Sequence, residues 1–77
     1  MPPEGDEQTR RKRAAAERAA SAVQDGAVVG LGTGSTAECV IRALAERVKE
    51  GLRIVGVPTS LRSERLARSL GIPLIDL

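Results

Sequence analysis

A run of small and hydroxyl-bearing residues, Gly30 to Thr36, is the part of the sequence best suited to chemistry. It holds three glycines, and Thr33, Ser35 and Thr36 carry hydroxyls that could donate to phosphate oxygens. Glycines after a strand let the backbone turn sharply and approach a ligand closely. If a helix begins at this point, its first amides and the positive end of its dipole attract an anion. The run therefore predicts an anion-binding loop. A tight strand-to-helix turn, in which Ser35 acts only as a helix cap, remains the alternative.

Two common nucleotide-binding patterns each lack an essential residue. The dinucleotide pattern Gly-x-Gly-x-x-Gly has Ser35 in place of its third glycine, and Val57-Pro58-Thr59 provides no acid for a ribose hydroxyl. The loop that binds nucleoside triphosphates needs Gly-Lys-Ser/Thr, and no lysine follows Gly34. A small phosphorylated metabolite fits better, because amides and hydroxyls suffice for one phosphate group.

The sequence around this loop alternates between short apolar runs and amphipathic stretches. This pattern predicts a parallel sheet with crossover helices. The fold class is therefore α/β, a Rossmann-like open parallel sheet that is incomplete, with one helix followed by a strand-helix-strand-helix-strand unit. The expected strands are Ala27–Leu31, Arg53–Val57 and Ile72–Leu77, and the expected helices are Thr9–Gln24, Ser35–Glu50 and Leu61–Leu70.

The helices differ in the strength of their signals. The second has the clearest apolar stripe, from Ala37 to Val48, and Ser35 with Glu38 matches a capping box at its start. Ser60 is the expected N-cap of the third helix. The first helix has a weak stripe, formed by Ala15, Ala19, Ala22 and Val23.

The handedness of the crossovers predicts where the loops meet. Right-handed connections place Gly32–Thr36 and Pro58–Ser60 at the same carboxyl edge of the sheet. Ligands of open parallel sheets bind at that edge. The two loops should therefore form one site.

The composition excludes several functions. The chain has no His, no aromatic residue and one Cys, so it lacks a zinc site of the Cys/His kind, an internal disulfide and a stacking platform for single-stranded nucleic acid. A net charge of +2, from 12 basic and 10 acidic residues, is too balanced to indicate nucleic-acid binding. No apolar run approaches the length of about 18 residues that indicates a membrane span. We expect a cytoplasmic protein without nucleic-acid or membrane partners. Cys39 is expected to be an inert thiol, on the helix face away from the apolar stripe.

The amino-terminal residues carry two further expectations. Residues 1–8, with two prolines, a glycine and three acids, are expected to form a disordered leader before a domain over residues 9–77. Arg10-Arg11-Lys12-Arg13 is expected to be a solvated start of the first helix. Its positive charge opposes the helix dipole unless a bound phosphate compensates it.

Three segments resemble the start of ribose-5-phosphate isomerase of the A type. They are Val28–Ala37, Val55–Ser60 and Leu70–Leu74. The resemblance implies that Thr33, Gly34, Ser35 and Thr36 hold a sugar phosphate and that Lys12 helps to bind it. It also implies exchange between ribose 5-phosphate and ribulose 5-phosphate, with a small-molecule sugar phosphate as partner and no cofactor or metal. Full-length relatives are expected to be homo-oligomers.

The catalytic segments of that family do not occur in this sequence. They are an Asp-Gly-Ala-Asp segment, a Lys-Gly-Gly-Gly loop and a later glutamate base. Proton transfer through an enediolate needs a base and a stabiliser for the oxyanion. We therefore predict an amino-terminal piece of the enzyme, with no catalytic residue of its own and no activity alone. Two other interpretations are a non-catalytic sugar-phosphate sensor of a regulator and half of a dinucleotide-binding domain. The sensor is disfavoured because about 25 residues before the first strand are too few for a helix-turn-helix.

Overall fold

A computed structural model describes the backbone of residues 4–75 and the side chains of residues 10–75. Helices and strands alternate along this range in the predicted order up to the third helix, and the α/β class is confirmed. The elements are α1 (Glu4–Ser21), β1 (Ala27–Leu31), α2 (Ser35–Lys49), β2 (Ile54–Pro58) and α3 (Leu61–Ser69). The expectations for residues 1–3, Asp76 and Leu77 lie outside the described residues.

The two strands are parallel, and the chain after α3 begins to extend their sheet. Ala27 pairs with Ile54 at one end of the ladder, and Leu31 pairs with Pro58 at the other. Beyond β2, Leu74 makes a single parallel bridge to Gly56. There the Gly56 amide donates to the carbonyl of Pro73 at 2.8 Å. Within the described residues the predicted third strand is thus one bridge, with β2 between it and β1.

The core lies where α2 and α3 pack against the sheet. Helix α2 buries Ile41, Leu44 and Ala45, all members of the predicted stripe. They belong to one cluster with residues of β1, β2, α3 and the segment that follows α3, namely Leu31, Ile54, Ala67 and Ile72. On the strands, burial alternates along the chain, and Val28 is 66% exposed. Helices α2 and α3 therefore pack on one face of the sheet, and this packing holds its carboxyl edge in place.

Helix α1 has different bounds from those predicted. It begins at Glu4 rather than at the predicted Thr9, so residues 4–8 of the expected leader lie within the helix. The division of the chain into a leader and a domain stays a prediction. The helix ends at Ser21, and the amides of the next two residues bond to carbonyls three residues back, which tightens its last turn.

The face of α1 that packs against α2 is also not the predicted one. Ala16 and Ala20 are buried, whereas the predicted Ala15, Ala19 and Ala22 are exposed. The fourth predicted residue, Val23, follows the helix and packs against the core. The rotation of α1 is fixed from α2, where Arg47 Nη1 donates to the carbonyls of Ala20 and Val23. An alanine stripe provides little apolar area, so these hydrogen bonds and the close approach at Ala16 and Ala20 decide the contact.

Cys39 lies on the face of α2 that neighbours α1, away from the buried stripe as predicted. Cys39 is half-buried and lines a groove between α1 and α2, together with Arg13 and Glu17 of α1. The apolar stripe of α2 meets the sheet, and the face that carries Cys39 meets α1. The inert character of the thiol stays a prediction.

Candidate anion-binding site at the carboxyl edge

The loop after β1 leads into α2 without a side-chain cap. The N-cap residue is Gly34, with φ 108° and ψ 171°, and no side chain caps this end of the helix. The first backbone bond of the helix runs from the Glu38 amide to the Gly34 carbonyl at 2.9 Å. The amides of the first turn lie before that bond, so they have no carbonyl acceptor inside the helix. Donors of this kind at a helix N-terminus favour an anion.

The predicted capping box at the start of α2 is wrong. Ser35 is the first residue inside the helix rather than its N-cap, so its hydroxyl is not in the capping position. Glu38 instead pairs with Arg62 of α3, with 2.9 Å between Oε1 and Nη2. The ion pair offsets a carboxylate that would otherwise oppose an anion beside this helix end.

Helix α1 brings a positive charge to the same loop. Lys12 Nζ donates to Ser35 Oγ at 2.8 Å. The ammonium group therefore lies beside the open amides of α2, where cation, amides and hydroxyls can act on one ligand. The structure thus brings Lys12 together with the residues of the predicted loop.

The loop after β2 lies against the loop after β1, as the crossover rule predicts. The amide and the hydroxyl of Thr59 both donate to the carbonyl of Leu31, at 3.1 and 2.7 Å. Ser60 Oγ lies 2.8 Å from Thr33 Oγ1. The two loops are therefore side by side at the carboxyl edge.

The second helix end at this edge is closed by its own side chains. Ser60 is the N-cap of α3, as predicted, and its Oγ accepts from the Ser63 amide at 3.1 Å. Ser63 Oγ in turn accepts from the Ser60 amide at 3.2 Å, which completes a capping box. The hydrogen bond between Ser60 and Thr33 is additional, and no sequence pattern indicates it.

All five residues predicted to bind the phosphate lie at this edge. Gly34, Ser35 and Thr36 form the start of α2, while Thr33 precedes them and Lys12 reaches them from α1. Thr36 is exposed in the first turn. Sequence reasoning missed the contacts of Thr59 and Ser60, although the crossover rule had already placed their loop beside the site.

Two other features of the described residues bear on the class of site. No helix in residues 4–75 is both long and apolar enough to cross a membrane. In the same part of the chain, no group of three or more His, Cys, Asp or Glu side chains is arranged to hold a metal ion. The groups described at the carboxyl edge are backbone amides, hydroxyls, the Lys12 ammonium group and the ion pair between Glu38 and Arg62.

The fold and the sequence both have known relatives. No family model matches the chain. Ribose-5-phosphate isomerase A of Haloarcula marismortui is 62% identical over 66 residues, which are 86% of this chain and 29% of the relative. The solved structure of ribose 5-phosphate isomerase A from Methanocaldococcus jannaschii superposes with a TM-score of 0.83 at 44% identity, over 94% of this chain and 32% of that one. A D-ribose-5-phosphate isomerase in complex with phospho-erythronic acid superposes with a TM-score of 0.81 at 42% identity, over 92% of this chain and 31% of that one.

These matches show the similarity of the chain at two levels, its fold class and its protein family. Its helices and parallel strands are those of the Rossmann-like α/β class. Within that class, the chain matches the family of ribose-5-phosphate isomerase A and corresponds to the amino-terminal part of its members. It spans 29% and 31% of the length of two such curated relatives. The resemblance seen in the sequence is confirmed.

Proposed function

We propose that the chain provides the phosphate-binding edge of a ribose-5-phosphate isomerase. Thr33, Gly34, Ser35 and Thr36 bind the phosphate of the sugar, and Lys12 balances its charge. The whole protein interconverts ribose 5-phosphate and ribulose 5-phosphate without a cofactor. The cytoplasmic location and the homo-oligomeric state of full-length relatives remain predictions.

One observation carries this proposal. Lys12 Nζ comes from a different element and lies 2.8 Å from Ser35 Oγ, beside a helix end that lacks a side-chain cap. A turn with a purely structural role needs no such cation, because the positive end of the helix dipole disfavours it. A bound phosphate reverses that preference, since its charge attracts both the ammonium group and the amides.

A related ligand supports the choice of phosphate. The relative solved with phospho-erythronic acid holds a compound that carries a phosphate group, and it shares the fold of this chain. The site here offers the donors that such a group needs, and it offers no described cluster of acids that would suit a metal.

The division of labour follows from the length of the chain. It spans about 30% of its relatives, and the segments expected to supply the base and the oxyanion stabiliser do not occur in it. We propose that this chain binds and orients the sugar phosphate. Proton transfer is then carried out by the part of the enzyme that corresponds to the unmatched length of the relatives. Phosphate binding away from the reacting carbons can still raise turnover, because it positions them.

The test is a chimaera in which this chain replaces the matching part of the Haloarcula relative. The chimaera should form ribulose 5-phosphate from ribose 5-phosphate, whereas the 77-residue chain alone should not exceed the rate in buffer. Thr36→Val keeps the shape and the amide of Thr36 but removes the hydroxyl. A hydrogen bond to a charged group contributes about 1.5–3 kcal/mol, so kcat/KM of the chimaera should fall roughly tenfold to a hundredfold.

Thr36→Ser is the matched control, because it keeps the hydroxyl and should retain most of the activity. A folded Thr36→Val chimaera with unchanged kinetic constants and an altered melting temperature would support the purely structural turn. A folded chimaera that binds phosphate but never turns over would support the alternative of a sugar-phosphate sensor.

A further inference from the structure

The hydroxyls of Thr33 and Ser60 form the side-chain link between the two loops of the carboxyl edge. Their oxygens lie 2.8 Å apart, so one of the two groups must donate its proton to the other. The direction matters, because a hydroxyl has a single proton. If Thr33 donates to Ser60, Thr33 can no longer donate to an anion.

The other bonds of Ser60 indicate the direction. Its Oγ already accepts from the Ser63 amide at 3.1 Å. Ser63 Oγ donates its proton to the Ser60 carbonyl at 3.0 Å. The same oxygen accepts a hydrogen bond from the Ser60 amide. The proton of Ser60 Oγ then has two acceptors, Thr33 Oγ1 at 2.8 Å and Ser63 Oγ at 3.1 Å. The shorter bond leads to Thr33.

We propose that Ser60 is a positioning residue for the anion site, in that its hydroxyl donates to Thr33 and leaves the Thr33 proton free for a phosphate oxygen. This inference rests on the proposed function, because it requires an anion at the loop. It gives Ser60 two roles. The hydroxyl caps α3 with its lone pair, and it orients Thr33 with its proton.

The arrangement also links the open helix end to the closed one. The Ser63 amide lies at the positive end of α3 and polarises the Ser60 hydroxyl, which makes its proton a better donor. Thr33 becomes a better donor in the same way. The dipole of α3 therefore strengthens a hydrogen-bond donor, Thr33, of the loop that precedes α2.

The test separates the proton of Ser60 from its role as a cap. Ser60→Gly removes the hydroxyl, and glycine is itself an acceptable N-cap, so the start of α3 is largely kept. Binding of inorganic phosphate to the chain is measured from the amide chemical shifts of Gly34, Ser35 and Thr36. Ser60→Gly should weaken binding about threefold to tenfold, as expected for the loss of one neutral hydrogen bond. Ser60→Thr keeps the hydroxyl and should restore the affinity.

A second variant makes the result specific for Thr33. Thr33→Val removes the hydroxyl that Ser60 is proposed to orient toward phosphate. In this background Ser60→Gly should therefore change the affinity for phosphate by less than about 1.5-fold. Ser63→Ala is the matched control for the cap, because it weakens the cap of α3 but also removes the competing acceptor of the Ser60 proton. It should therefore not weaken the binding of phosphate.

The outcomes distinguish this inference from the function on which it rests. If the unaltered chain shows no saturable phosphate binding, both are wrong. If it binds phosphate, and Ser60→Gly either has no effect or has the same effect with and without Thr33, the positioning role alone is wrong.

Discussion

Two helices begin side by side at the carboxyl edge of the sheet, and they begin in opposite ways. Helix α3 starts from Ser60 in an extended conformation, with φ −154° and ψ 162°, and a capping box occupies its first donors. Helix α2 starts from Gly34, which has no side chain and a φ of 108°. The closed end stabilises the fold, whereas the open end leaves its first donors without a side-chain acceptor, as the proposed phosphate site requires. The chain thus has a capping box at the start of α3 and none at the start of α2, where the phosphate is proposed to bind.

The largest effect should come from the conformation of Gly34. Its φ and ψ lie in a region that residues with a side chain rarely adopt, so Gly34→Ala should lower the free energy of unfolding by about 1–3 kcal/mol. A Cβ at Gly34 would have no atom within 4 Å, so backbone strain alone causes this loss. Urea denaturation measures it.

Gly30→Ala is the matched control for that experiment. A Cβ at Gly30 also has no atom within 4 Å, and the φ of Gly30 is not positive. Its effect should stay below about 1 kcal/mol, because Gly30 lies in a strand that favours residues other than glycine. Equal losses at the two glycines would contradict the claim that the open end depends on the conformation of Gly34.

A smaller effect should separate the serines of the two helix ends. Ser60→Ala removes a true N-cap and should cost about 1 kcal/mol, within a range of 0.5–2. Ser35→Ala removes an exposed hydroxyl that caps nothing and should change stability by less than about 0.5 kcal/mol. Thermal unfolding of both variants checks the difference. Comparable losses would restore the capping box that the sequence predicted for Ser35 and Glu38.

Much of the fold could be predicted because apolar residues mark it. Strand β1 has the predicted bounds, and the stripe of α2 meets the core as expected, since Ile41 and Leu44 bury large side chains. The contact face of α1 could not be predicted, because an alanine stripe favours no particular rotation. That rotation depends on Arg47, which reaches the carboxyl end of α1 from another helix.

The site divides in a similar way. The adjacency of its two loops follows from the handedness of the crossovers, and the contacts of Thr59 and Ser60 confirm it. The Ser-x-x-Glu pattern of Ser35 and Glu38 was misleading. The same pattern occurs whether the serine is the N-cap or, as here, the first residue of the helix. The place of Lys12 came from the family resemblance alone, since it depends on how α1 lies on α2.

The central claim is that the open helix end binds an anion and the closed one does not. The direct measurement is a titration of the chain with inorganic phosphate, followed by amide chemical shifts at both ends. The amides of Ser35, Thr36 and Ala37 should shift and saturate, while those of Leu61 to Ser63 should remain in place. Lys12→Met should weaken binding about twofold to fivefold, as expected for one exposed charge, and Arg10→Met on the same helix should have a smaller effect. An absence of saturable shifts at α2, or equal shifts at the two helix ends, would contradict the account.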